Sequence, residues 1–177
     1  GHGAFLRKDA NLRDVDSVEE SQKNLELFDE RSNTFLGEDA GEKLKEGNTE
    51  ANGFTAIGYK ALSKLETGAD NTAVGDLAMS EATVEQKNNT AVGWGSLKDN
   101  QGDDNTAVGN GTLYENTTGY SNVAVGSGAL LKNKDGFKNT ALGTSSLTSN
   151  ISGVDNVASG YLSLFSNTSG EANVAVG

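Results

Sequence analysis

The chain reads as an all-β protein: a β-solenoid, or β-roll, of about eight coils behind a short N-terminal segment. Three observations predict this. First, near-identical sentences of 17 residues follow one another without a gap: NTAVGNGTLYENTTGYS (105–121), NVAVGSGALLKNKDGFK (122–138) and NTALGTSSLTSNISGVD (139–155). Second, that unit is too short for two helices and a turn, which need about 33 residues or more. Third, Gly is frequent at 23 of 177 residues while Pro and Cys are absent, so neither a Pro-rich linker nor a disulfide framework is available.

The period is read from the Gly that closes each AVG-like motif: Gly37, Gly58, Gly75, Gly93, Gly109, Gly126, Gly143, Gly160 and Gly177. The last four intervals are all 17 residues, and the earlier ones run from 16 to 21. The consensus is N-T-A-V-G-x-x-A-L-x-x-N-x-x-G-x-x, repeated from residue 33 to the C-terminus. This divides the chain into an N-terminal segment, 1–32, and a solenoid, 33–177, with an incomplete last unit.

Within a unit, TAV alternates with period two and predicts a first strand. A second strand is expected around the AL pair. Gly at unit positions 5 and 15 suits bends, where positive φ is cheap, and Asn at position 12 is a turn former. Stacking the coils turns each position into a column. Asn71, Asn89, Asn105, Asn122, Asn139, Asn156 and Asn173 form one such column, and their amides are expected to hydrogen-bond from coil to coil at about 4.8 Å spacing.

Both Ala and Val of TAV are apolar in nearly every unit, yet they point to opposite faces. One lines the interior. The other column, Ile57, Val74, Val92, Val108, Val125, Leu142 and Val176, then faces outward, with Leu62, Leu97, Leu113, Leu130, Leu147 and Leu164 adding a second apolar column. A stripe of that length is too large to leave in water. Association of parallel chains along the rod is therefore expected.

In the N-terminal segment, Ser17-x-x-Glu20 is a capping-box pattern, and Val18, Gln22 and Leu25 then share one helix face. A short helix is expected there.

The NTAVGxxAL units resemble the NSVAIGxxSxA units of trimeric autotransporter adhesin heads. They resemble still more closely the NTAVGYxAL arrays of phage tail-fibre and tail-fibre-like proteins. The segment FLRKDANLRDVDSVEESQKNLEL is similar to the tail-fibre pattern FLRKDxNLSDLxDxxxARxNLGL, matching at Phe5, Leu6, Arg7, Lys8, Asp9, Asn11, Leu12, Asp14, Asp16, Asn24, Leu25 and Leu27. It departs at Val15, Gln22, Lys23 and Glu26. A tail fibre accounts for both motif and repeat; an autotransporter head accounts for the repeat alone. The resemblance implies a homotrimer located in a virion, joined to other fibre segments or a tip domain and attaching to a bacterial surface glycan or protein. The alternative is an adhesin head on a bacterial cell surface.

The formal charge of −11 disfavours nucleic acid and anionic membranes as partners. No apolar run reaches the length of a membrane span. A catalytic triad is not expected, since the single His, His2, is terminal and Cys is absent. Asp103 and Asp104 are adjacent carboxylates of the kind glycosidases use, but they read as solvated turn residues. The calcium-binding β-roll nonapeptide and the EF-hand spacing are absent. No enzyme activity, cofactor or metal is expected.

Candidate surface contacts are Tyr120 and Phe137, neighbours along the rod at position 16, followed by Tyr59, Trp94 and Tyr161 at position 6. A third function class is an ice-binding solenoid, for which Thr34, Thr55, Thr72, Thr90, Thr106 and Thr140 supply a column that Val123, Val157 and Val174 interrupt. Gly177 falls inside a ninth unit, so the chain is expected to be a fragment of a longer fibre.

Overall fold

The structure is a computed structural model of the chain and describes residues 32–45, 52–83 and 85–177. All of the N-terminal segment except Ser32, including the expected helix, lies outside the described residues.

In chain order the elements are β1 (Thr34–Leu36), α1 (Glu42–Lys45), β2 (Thr55–Ile57), β3 (Gly68–Ala69), β4 (Thr72–Val74), β5 (Gln86–Lys87), β6 (Thr90–Val92), β7 (Thr106–Val108), β8 (Val123–Val125), β9 (Thr140–Leu142), β10 (Val157–Ser159) and β11 (Val174–Val176). The protein is a parallel β-solenoid. Nine strands form one sheet in the order β1-β2-β4-β6-β7-β8-β9-β10-β11, each contributed by one TAV-like segment. The registers match the repeat: Thr72, Ala73 and Val74 lie opposite Thr90, Ala91 and Val92, and the same holds along the rod. β3 and β5 pair as a small second, two-stranded sheet between two early coils.

The middle residue of each strand points inward. Ala56, Ala73, Ala91, Ala107, Ala124, Ala141 and Ala158 are all fully buried. Opposite them sit Leu62, Leu97, Leu113, Leu130 and Leu147, also fully buried, so the Leu column fills the interior and is not a second outer column.

The AL segment is not a strand. In most coils the N–H of position 8 donates to the carbonyl of the bend Gly, as Ala129 does to Gly126 at 3.2 Å, and in the coils of Leu62, Met79 and Leu97 the N–H of position 10 donates to the carbonyl of position 7, as Lys98 does to Gly95 at 3.3 Å. These are successive turns whose third residue has positive φ. Gly95, Gly111 and Gly128 take that place in the first turn, with φ of 59°, 61° and 66°. Leu97, Leu113, Leu130 and Leu147 take it in the next, with φ between 50° and 52°. The left-handed conformation costs a non-Gly residue about 1–2 kcal/mol, whereas fully burying Leu contributes about 1.5–3 kcal/mol. Burial wins, because this geometry is the one that aims Leu at the Ala column. The turns are also cross-linked between coils, for example Leu113 N–H to the Ala129 carbonyl at 3.0 Å.

The bend Gly cannot be replaced freely. At Gly93, φ is +124° and a Cβ would sit 2.4 Å from the Gly109 carbonyl oxygen of the next coil.

The first coils are filled differently. Phe54 and Leu65 occupy the two positions that Asn holds elsewhere, and with Phe35, Ala40, Leu44, Met79 and Ala82 they form a buried apolar plug. Asn33 is also buried, its Oδ1 accepting from the Phe54 N–H at 2.9 Å, but the continuous Asn ladder begins at Asn71.

Candidate functional site

Two Asn columns run inside the rod. In the first, the typical Asn Oδ1 accepts from the backbone N–H and the Nδ2 of the next rung, while its own Nδ2 also donates to a Gly carbonyl; Asn71 Nδ2 instead meets the Ala69 and Gln86 carbonyls, and Asn105 Nδ2 meets Asn100 Oδ1 at 3.4 Å in place of Asn89. Asn122 is representative: Nδ2 donates to Asn105 Oδ1 at 3.2 Å and to the Gly136 carbonyl at 2.9 Å. Its Oδ1 accepts from Asn139 N–H at 3.0 Å and Asn139 Nδ2 at 3.2 Å. Side-chain bonds join Asn71 to Asn89 and run on from Asn105 through Asn122, Asn139 and Asn156 to Asn173, while Asn89 and Asn105 are joined by the Asn105 backbone N–H alone, at 3.0 Å. From Asn71 to Asn156 every side-chain nitrogen and oxygen of these buried amides has a hydrogen-bond partner, which is the condition for placing them in a dry interior.

A second ladder lies beside it, built from the position-12 residues Asn100, Asn116, Asn133, Asn150 and Asn167. In sequence these Asn show only the pattern of turn formers. The two ladders share acceptors: the Gly119 carbonyl accepts from Asn105 at 2.9 Å and from Asn116 at 2.8 Å. In the coil where Ala82 replaces this Asn, Gln86 substitutes from a different position, its Oε1 accepting from Asn100 Nδ2 at 2.8 Å. The buried amides are thus wholly committed to one another, and the surfaces available to partners lie outside.

The largest is the outer face of the nine-stranded sheet. Its two columns are the first and last residues of each strand. Val108, Val125 and Leu142 are 37%, 41% and 41% exposed, and Val123 and Val157 are similar. At about 4.8 Å per strand, the stripe extends on the order of 40 Å. The Thr column lies on this same face, beside the Val column.

The second surface carries the aromatic residues. Tyr120 and Phe137 stack with centroids 4.7 Å apart and ring planes 6° from parallel. That distance is the coil spacing, so the stack follows the rod axis and each ring turns one face to the other. Lys138 Nζ lies 5.8 Å from the Phe137 centroid. Trp94 stacks instead on Tyr114, a position-10 residue of the next coil, at 6.0 Å and 23°. Lys98 Nζ sits 5.1 Å from the Tyr114 ring and 2.9 Å from Asp99 Oδ1. That hydrogen bond, before any other influence, raises the Lys98 ammonium above the ordinary lysine range. Tyr59 has Lys60 5.1 Å from its ring centroid, and Tyr161 is largely exposed. The structure therefore does not gather the five aromatic candidates into one site.

Asp103 and Asp104 are turned to the preceding coil: Asp103 Oδ1 accepts from Lys87 N–H at 2.9 Å and Asp104 Oδ1 from Asn88 Nδ2 at 3.0 Å. Among the described residues no three His, Cys, Asp or Glu side chains are grouped to hold a metal ion, and no helix is long and apolar enough to cross a membrane.

Comparison with protein-family models, curated proteins and solved structures gives no significant match.

Proposed function

We propose that this chain is a structural and receptor-binding segment of a tail fibre, from a phage or a phage-like injection system, assembled as a homotrimer through the outer face of its sheet. The observation that supports it most is that face: an in-register stripe of Val, Ile and Leu on eight of nine strands, broken by Ser159 on β10, and partly exposed in a single chain. A parallel copy repeats the same columns at the same spacing, so association in register sets the Val, Ile and Leu column of one chain against that of the next along most of the rod. The mechanism is mechanical spacing plus multivalent presentation, in which three copies of a weak contact act together through effective concentration. The N-terminal motif favours a tail fibre over an autotransporter head. Immunogold electron microscopy of particles and cells from the source tests this, using antibody to the purified chain. Label on fibres of tailed particles is expected; label confined to the cell envelope favours the adhesin reading and overturns this one.

One observation favours a second reading. Thr72, Thr90, Thr106 and Thr140 share the flat outer face with the Val column, as an ice-binding surface requires. Val123, Val157 and Val174 break the array. Thermal hysteresis by the purified chain would move the assignment to ice.

A further inference from the structure

We infer that the coil 122–138, together with Tyr120 of the coil before it, is a binding site for an acidic polysaccharide. The inference rests on the receptor-binding reading above and names the receptor class.

Charge is the first observation. The chain carries −11, yet this coil holds Lys132, Lys134 and Lys138 against the single carboxylate of Asp135. Every other coil is neutral or negative. The second observation is that these cations are not spent on the protein's own carboxylates. Lys64 pairs with Glu81, Lys87 with Glu85 and Lys98 with Asp99, whereas Lys132, Lys134 and Lys138 have no ion-pair partner among the described residues. Glu115 and Asp155 hold the unit positions of Lys132 and Lys138 in the flanking coils without pairing with them, and the coil's net charge of +2, three lysines against one aspartate, remains a localised attraction for an anion.

The third observation is the apolar body beside them. Tyr120 is 41% exposed and stacks on Phe137, and Lys138 Nζ lies over the Phe137 ring. Ile151, in the next coil at the unit position of Lys134, is also exposed. Sugars present C–H faces that pack on such rings and hydroxyls that bond a phenol such as that of Tyr120. A carboxylate or phosphate on the sugar then takes the ammonium groups. Lys134 and Lys138 flank Phe137 within one loop, so apolar and charged contacts fall side by side.

The loop is also held in place. The Ile151 carbonyl accepts the N–H groups of Lys134, Asp135 and Gly136 at 2.9, 3.1 and 3.2 Å, and the Tyr120 carbonyl accepts that of Lys138 at 3.1 Å. A site clamped in this way loses little entropy on binding. The Trp94–Tyr114 stack lacks the same capacity, because Lys98 is neutralised by Asp99.

The test uses the full chain and three acidic polymers, polygalacturonate, alginate and polysialic acid, with neutral dextran and single-stranded DNA as controls. Saturable binding to at least one acidic polymer is expected, weakening as salt rises from about 0.05 to about 0.3 M, with no binding to dextran. K134Q/K138Q should weaken it at least tenfold, and Y120S should weaken it while melting stays within a degree or two of wild type. Binding to none of the acidic polymers, equal binding of dextran or DNA, or undiminished binding by K134Q/K138Q overturns the inference. Sedimentation of the same samples separates the two proposals. A trimer that binds no acidic polymer overturns the site alone. A monomer that binds one overturns the assembly alone.

Discussion

Replacing Asn122 by Ala removes a rung from the middle of the first ladder. Four hydrogen bonds go: two donated by Nδ2, to Asn105 and Gly136, and two accepted by Oδ1, from Asn139. The survivors are not equally harmed. Gly136 keeps the bond from Asn133, and Asn105 keeps the one from the Asn122 backbone N–H. Asn139 Nδ2 keeps Gly153. The Asn139 backbone N–H keeps nothing among the bonds of this ladder and is left buried. Three of the lost bonds are worth about 1 kcal/mol net each, and the fourth leaves an orphaned buried donor at about 1–3 kcal/mol, so the substitution should destabilise by about 4–6 kcal/mol. Asn122→Asp is nearly isosteric yet harsher at neutral pH. It sets a carboxylate oxygen against Asn105 Oδ1 and the Gly136 carbonyl, and acid should relieve part of the loss by restoring one donor. Urea denaturation followed by circular dichroism, at one protein concentration, measures both. Asn110→Ala, at an exposed turn, is the control. A loss below about 1 kcal/mol for Asn122→Ala, or one equal to that of Asn110→Ala, would refute the reasoning that the buried amides hold the coils together.

Other positions follow from the same geometry. Leu113→Ala should cost about 2–5 kcal/mol by opening a cavity opposite the Ala column; a melt like wild type would show that the Leu column is not the interior. Gly93→Ala should cost about 2–4 kcal/mol, since it combines positive φ with a clash on the Gly109 carbonyl; retained stability would contradict the stacking of bends. Val108→Asp should leave the single chain folded, because the side chain points outward, but should abolish association by placing a carboxylate in the interface of every copy. Size-exclusion chromatography reads that outcome, and unchanged assembly would exclude the sheet face as the contact. For Lys98, the folded pKa is raised, above all by the hydrogen bond to Asp99, from an ordinary value of 10.5. Its contribution to stability is therefore complete below that value and is lost as pH rises through the raised one. Wild type should lose more stability than K98M between about pH 10 and about pH 12, and parallel curves would count against the pair.

Much of this architecture was legible because a solenoid converts sequence period into contact. The strands over TAV, their parallel pairing, the column of Asn beginning each unit and the adjacency of Tyr120 and Phe137 all follow from the spacing of 17. The AL segment was misread because Leu rarely adopts positive φ, so an apolar pair looked like a strand. The available signal was two residues before Leu, where Gly95, Gly111 and Gly128 mark the third position of a turn. The second ladder was hidden because Asn is also a common turn former, and its burial at Asn116 or Asn133 depends on the Gly carbonyl it meets. Gln86 could not be aligned with that column, since it reaches the ladder from an insertion. The pairing of Trp94 with Tyr114 joins different unit positions of different coils, which no single column displays. The apolar plug did have a signature, the loss of Asn at Phe54 and Leu65.

Sedimentation equilibrium of the full chain at micromolar concentration tests the central claim most directly, because the outer sheet face is either covered by further copies or left in water. The account predicts a single species of three times the 18.3 kDa chain mass, reduced to one chain by Val108→Asp. A stable species of 18.3 kDa for the unaltered chain would contradict it.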